Sequence, residues 1–191
     1  MREKFEIEVE GRVQIFDHET RELLRDTKNA VHPQNMAMMI AKAISRDTAT
    51  SPGILQLCFG NGGTFFNSSN QIVFRPPNTV GVSALYNQTY SVQVDDQVTG
   101  TPSTNSVIYS ASPSPAITSI VTVTAQLNAN EPAGQAVTDN VTTNPNSLFT
   151  FDEIGLKAAD GSLLTHLVFS PFEKTANRAF LIIYTLTISV S

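Results

Sequence analysis

Phe5, Ile7 and Val9 alternate with Lys4, Glu6, Glu8 and Glu10, the two-residue period of a strand with one face on a core. Val13 and Ile15, then Leu23 and Leu24, flank the polar stretch Asp17-His18-Glu19-Thr20-Arg21, which reads as a hairpin turn. Residues 1–31 are therefore expected to form an N-terminal β-hairpin. The period then changes. Pro33 suits a first helical turn, where its missing N–H costs nothing. Met36, Met39, Ile40, Ala43 and Ile44 follow at helical spacing, which predicts a helix over 33–46 with one apolar face. Met39 and Ile40 are expected on the buried side, with Gln34, Ala41 and Lys42 nearer solvent or a partner.

Beyond the helix the pattern is β throughout. Ile54 to Phe59 is a short apolar run between Pro52-Gly53 and Gly60-Asn61-Gly62-Gly63, a length and punctuation that favour a buried strand. Gln71 to Phe74, stopped by Pro76-Pro77, is a second candidate, and Val107 to Ser110 a weaker one. Tyr90, Val92 and Val94 alternate with Ser91, Gln93 and Asp95. Val121, Val123, Ala125 and Leu127 alternate with Ile120, Thr122, Thr124 and Gln126. Residues 128–147 read as a long loop. Phe149 to Leu156 and Ser162 to Phe169 are joined across Asp160-Gly161, a dipeptide that supplies positive φ. Phe180, Ile182, Tyr184, Leu186 and Ile188 then form the cleanest apolar row. Opposite them, Leu181 and Ile183 give way to Thr185, Thr187 and Ser189. One helix among eight or more short strands points to a mainly β fold. The expected architecture is a single β-sandwich domain, jelly-roll-like, over residues 1–191.

Charge changes the picture. The stretch from Thr48 to Phe151 holds one base, Arg75, and four acids, Asp95, Asp96, Glu131 and Asp139. Such a neutral surface, rich in hydroxyls and amides, suits burial against neighbours, because desolvating charge is costly and a hydrogen-bonded Ser, Thr or Asn is not. A formal net charge of −5 and twelve scattered bases argue against a nucleic-acid partner. No segment has the ~20 apolar residues of a membrane span, and the charged Met1-Arg2-Glu3-Lys4 start does not read as a signal peptide. Synthesis and retention in a cytoplasm are expected unless an assembly carries the chain out. Asn67, Asn87 and Asn140 open Asn-x-Ser/Thr triplets that such a composition produces by chance.

The order of these elements resembles a family of small structural proteins from tailed bacteriophages. The corresponding pieces are Lys28-Asn29-Ala30-Val31-His32 before the helix, Cys58-Phe59-Gly60-Asn61-Gly62-Gly63-Thr64 and Leu85-Tyr86-Asn87. Phe151-Asp152-Glu153-Ile154-Gly155-Leu156, Asp160-Gly161-Ser162-Leu163-Leu164 and the strand Ile182 to Val190 continue the series. The similarity runs over most of the chain and lies in the order of the motifs. It implies a virion component associated with tail, baseplate or fibre, with other virion proteins and further copies of the chain as partners. The long loop 128–147 departs from that pattern, and no role is carried over to it.

Candidate chemistry is sparse. Cys58 is the only cysteine, and its apolar run predicts a buried small hydrophobe. His18, His32 and His166 lack zinc-site spacing and are expected as turn or surface histidines. No catalytic, cofactor or metal residue is assigned, and no cofactor is expected. Gly60-Asn61-Gly62-Gly63 lacks the Lys-Ser/Thr of a phosphate loop. A tight turn with glycines at positive φ is the expected form, and a backbone anion nest the sharper alternative. The paired acids Asp95-Asp96 and Asp152-Glu153 raise glycoside hydrolysis, against which stands the absence of Trp. A Ca²⁺ site at Asp95 and Asp96 is the other alternative. Glu153 is expected at a solvent or subunit face, either solvated or paired with Arg178 or Lys174. A non-enzymatic structural subunit is the first expectation, whether in the tail, as capsid decoration or as a head-to-tail collar. A host-glycan or host-protein binding module, using the loops 63–78 and 128–147 as tips, is the second.

Overall fold

The computed structural model describes residues 6–45, 53–81, 84–94, 105–111, 118–134 and 149–190. Asp95, Asp96 and most of the loop 128–147 therefore lie outside the described residues. Among the described residues eleven strands and one helix follow in chain order: β1 (Ile7–Asp17), β2 (Leu23–Val31), α1 (Pro33–Ser45), β3 (Ile54–Gly60), β4 (Thr64–Phe66) and β5 (Ile72–Phe74). They continue as β6 (Gln88–Gln93), β7 (Ser106–Ala111), β8 (Thr118–Leu127), β9 (Thr150–Ala158), β10 (Thr165–Glu173) and β11 (Phe180–Val190). The hairpin and the helix stand where the periodicity put them.

The fold is mainly β and sandwich-like, but its two layers belong to one curled, nine-stranded antiparallel sheet in the order β6-β3-β9-β10-β2-β1-β11-β8-β7. The corner is the β10–β2 seam, where only Thr165↔Val31 and His166↔Ala30 pair. One half is long and regular: β11 pairs with β1 from Ile7↔Val190 to Asp17↔Phe180, and with β8 along its other edge. Alternation explains it. Phe180, Ile182, Tyr184 and Leu186 are buried, as are Val13, Ile15, Val123, Ala125 and Leu127 on the neighbouring strands. The other half supplies Leu57, Phe59, Val92, Phe151, Ile154 and Leu156 to the same core. Phe172 links the layers, edge-on to Phe151 and Phe180 and stacked on Phe169. The outer face of β11 turns polar as expected: Thr185 and Thr187 line a shallow cleft with Arg12 and Lys28, which pair with Asp26 and Glu10.

The apolar face of α1 is shorter than its periodicity predicts. Met36 is buried, Met39 and Ile40 are half-buried against the core, and Ile44 is 78% exposed. The first turn is pinned and the last is not. His32 caps the helix, its Nδ1 accepting from the Asn35 N–H at 3.2 Å, while Asn35 Nδ2 donates to the Leu163 carbonyl at 2.7 Å. Toward the other end Lys42 bonds Asp160 at 2.6 Å, which holds that carboxyl down at about 2. Gly161 has φ 85°, the positive value its turn was expected to need.

Two further corrections concern the region 60–78. Phe65 and Phe66 belong to a strand that the pattern does not announce, and β4 and β5 form a separate two-stranded hairpin. The glycines at 60, 62 and 63 are not among the residues with positive φ. They are there for room: a Cβ at Gly62 would approach the Asn87 N at 2.7 Å, and one at Gly63 the Asp152 carbonyl oxygen at 2.9 Å.

Candidate functional site: a buried carboxylate clamp

The densest cluster of ionisable groups lies where β9 and β10 pass beneath the glycine loop. Successive residues of a strand point to opposite faces, yet Asp152 and Glu153 are both buried. Both hold the glycine loop, Asp152 at Gly63 and Thr64 and Glu153 at Gly62, and Glu153 also holds Tyr86 and Asn87. Glu153 is fully buried. Its Oε1 accepts from the Asn87 N–H at 2.7 Å and the Gly62 N–H at 3.1 Å. Its Oε2 accepts from the Tyr86 N–H at 2.8 Å and from His166 Nε2 at 3.0 Å. A carboxylate offers about four lone-pair positions, so Glu153 is saturated. Burial by itself raises its pKa, but the bonds from His166, Asn87 and Tyr86 outweigh that and hold it below the ordinary glutamate value.

Asp152 grips the adjoining stretch. Its Oδ1 accepts from the Gly63 N–H at 2.8 Å, and its Oδ2 from the Thr64 N–H at 2.7 Å and the Thr64 hydroxyl at 2.5 Å. Here burial wins, and the carboxyl sits above the ordinary aspartate value despite these three donors. The two neighbours thus shift in opposite directions, because Glu153 gains an imidazole donor that Asp152 lacks.

The state of His166 follows from its contacts. The Asn78 N–H donates to Nδ1 at 2.7 Å, so that nitrogen carries a lone pair, and the ring proton is assigned to Nε2, facing Glu153. The pair is therefore a neutral imidazole donating to a carboxylate. Through it the clamp reaches the segment 75–81. Gly81 is held in turn by His32, whose Nε2 lies 3.0 Å from the Gly81 carbonyl oxygen. Both histidines are buried, contrary to the expectation of turn or surface positions. His166 bonds through both nitrogens to groups distant in sequence, and His32 joins its local cap on Asn35 to the remote Gly81 carbonyl, roles that spacing cannot announce.

Glu153 was expected at a solvent or subunit face, solvated or paired with Arg178 or Lys174. Neither reading holds. Arg178 reaches Asp17 at 3.3 Å. Lys174 is buried, donates to the Thr175 carbonyl at 2.9 Å and is pushed down to about 8, mainly by burial. Nor do Asp152 and Glu153 flank an open cleft in the way glycoside hydrolysis requires. The anion-nest reading of the glycine loop comes nearer: Gly62, Gly63 and Thr64 do point their N–H groups at anions, and the anions are the chain's own carboxylates. Cys58 is buried beside Leu85 and Leu163, its thiol raised to about 11 by burial, as a packing residue should be. Among the described residues no group of three or more His, Cys, Asp or Glu is placed to hold a metal ion, and no helix is long and apolar enough to cross a membrane.

The clamp's product is the β4–β5 hairpin, which it fixes at its base. The Arg75 N–H closes that base on the Gly63 carbonyl at 2.8 Å. The Arg75 guanidinium lies 5.6 Å from the Phe65 ring centre and 5.0 Å from that of Tyr86. At the tip, Asn67 Oδ1 accepts from the N–H groups of Ser69 and Gln71 at 3.0 and 2.9 Å. Phe65, Phe66, Ile72 and Phe74 are left 43–50% exposed. Comparison with protein-family models, with curated proteins and with solved structures finds no match to this chain.

Proposed function

We propose that the chain is a non-enzymatic structural subunit of a tailed-bacteriophage virion, placed in the tail, baseplate or fibre-attachment region. The observation that carries the reading is the combination of the clamp and the hairpin. Two buried carboxylates and a buried histidine, groups that elsewhere do chemistry, are spent here on fixing backbone. What they fix is a projection with four large apolar side chains in water. An apolar patch of this size on a chain's surface is often a functional one. The neutral composition around it removes the desolvation cost that charged neighbours would impose on that covering. The order of sequence motifs supplies the virion setting.

The test is composition. In purified particles from cells producing this chain, mass spectrometry should find it at fixed stoichiometry, and electron microscopy should place it at the tail. Its absence from intact particles contradicts the reading. Capsid decoration or a collar differs only in the position found by microscopy. A host-glycan or host-protein binding module is the second reading, favoured by the aromatic hairpin standing where one recognition loop was expected. Binding of the isolated chain to a carbohydrate array would move the assignment there.

A further inference from the structure

Alternation puts one charge on the core side of β2. Arg25 pairs with the buried Ile15 across the β1–β2 ladder, and cross-strand partners share a face. The arginine therefore points where an apolar side chain is expected. Its guanidinium lies 5.1 Å from the ring centre of the buried Phe169. Among the described residues its one hydrogen bond, from Nη2 to the Ser170 carbonyl, is long at 3.4 Å. Burial draws its pKa down, and no carboxylate draws it back up. A half-buried charge left in that state is costly.

The space beside it has a local cause. β10 pairs with β2 only at Thr165↔Val31 and His166↔Ala30. It then turns irregular between Val168 and Phe172, where Pro171 has no N–H with which to extend a ladder. The two strands part, and a cleft of about 190 Å³ opens between them. Ile15, Phe172 and Phe180 give it apolar walls, and Arg25, Arg178 and Glu173 charged ones. All six, and their neighbours along the chain, are among the described residues. Arg178 is partly answered, since its Nη2 reaches Asp17 at 3.3 Å. Arg25 is not, although Glu173 shares the lining.

The lining selects the ligand. A guanidinium stacked on a ring keeps its N–H edge for a planar acceptor, and its fork matches a carboxylate in two parallel bonds. Apolar walls beside that fork favour an acid with a flat apolar body. Inorganic phosphate would instead bring its water shell against the rings. The volume lies below the ~300–1,000 Å³ of pockets for drug-sized ligands, which limits the body to about one ring.

We infer that the cleft between β2 and β10 binds a small organic carboxylate, with its charge on Arg25 and its apolar body against Phe172 and Phe180. The site does not depend on the virion reading, and either can fail alone.

Benzoate is the probe, one ring with one carboxylate. Titrated into the full-length chain at neutral pH and followed by amide NMR, it should shift Arg25, Phe172 and Phe180 and saturate with a Kd of roughly 0.1–5 mM. Benzamide has the shape without the charge, and acetate the charge without the ring. Each should bind at least ~10-fold more weakly than benzoate. Arg25→Met keeps the stem and removes the fork. It should weaken benzoate binding at least ~10-fold while the thermal melt stays put, and Arg25→Lys should recover only part of the loss. The absence of saturable shifts at the cleft up to about 20 mM benzoate, well above that range, overturns the inference. So does benzamide matching benzoate, which would make the cleft merely apolar, or phosphate matching it, which would make it merely basic. Binding by Arg25→Met as tight as wild type overturns it too. Should that variant fail to fold, the benzamide, acetate and phosphate comparisons in wild type decide.

Discussion

The two layers of the sheet are held by different physics. In the layer built from β2, β1, β11, β8 and β7, long ladders join strands whose alternating side chains meet in a dry core, and the outer polar side chains answer one another across neighbouring strands. In the layer built from β6, β3, β9 and β10, the ladders are shorter and broken by register shifts. There, buried carboxylates hold the loops that cross above. The first layer derives its stability from area removed from water, which is tolerant of detail. The second depends on a few charge-assisted bonds, each costly to lose once its partners are desolvated. The contrast separates core from projection, since the second layer is the one that carries the exposed hairpin.

The sharpest way to break the comparison is a charge in the first layer. Ile182 is 1% exposed, and Ile182→Asp should abolish soluble, folded protein, because nothing nearby can satisfy a carboxylate. A cooperative melt near the wild-type temperature would mean that the register of β11 is not as described. In the second layer a carboxylate is the native group, and removing it is what hurts. Glu153→Ala leaves the Gly62, Tyr86 and Asn87 N–H groups without their acceptor, and urea denaturation should show a loss of about 3–5 kcal/mol.

Lys174 sharpens the contrast through pH. Its folded pKa of about 8 lies below the ordinary lysine value near 10.4, so between these values the unfolded chain binds more protons. Stability should therefore rise as pH climbs through that window, the full cost of the buried charge being present below it. Lys174→Met should flatten this rise, as measured by denaturation midpoints from pH 7 to 10.5. A smaller effect is expected on the outer face of the first layer. Thr187 lies opposite Glu10, so Thr187→Lys should change stability by less than ~0.5 kcal/mol. A larger loss would place that face against protein within the chain.

The difference also explains what the sequence disclosed. Phe180 to Val190 and Ser119 to Leu127 were legible because strand periodicity is local, and each residue's face depends only on its neighbours. The Asp160-Gly161 turn was legible for the same reason. The clamp was not. Asp152 and Glu153 read as an ordinary acidic pair because the backbone they hold lies 66 to 91 residues away. His166 shows no signal at all, since its partners Asn78 and Glu153 lie on a loop and a strand that only the tertiary fold brings to it. The glycines of 60–63 were visible, but as turn residues. Their real constraint, the close approach of Tyr86, Asn87 and Asp152, belongs to tertiary structure. Phe65 and Phe66 escaped because a three-residue strand in water has neither the length nor the alternation that marks a buried one.

Amide hydrogen exchange at Gly62, Gly63, Thr64, Tyr86 and Asn87, in wild type and in Glu153→Gln, tests the clamp most directly. The substitution keeps the shape of the side chain but turns an amide donor toward backbone donors. In wild type these five amides should exchange as slowly as the ladder amides of β3 and β9. The variant's one remaining oxygen can serve Gly62 and Asn87 or Tyr86 but not both sides, so one of these two sets should become fast, while Gly63 and Thr64, held by Asp152, lose less and the β11 amides stay protected. Fast exchange at these sites in wild type, or slow exchange unchanged in the variant, would contradict the account.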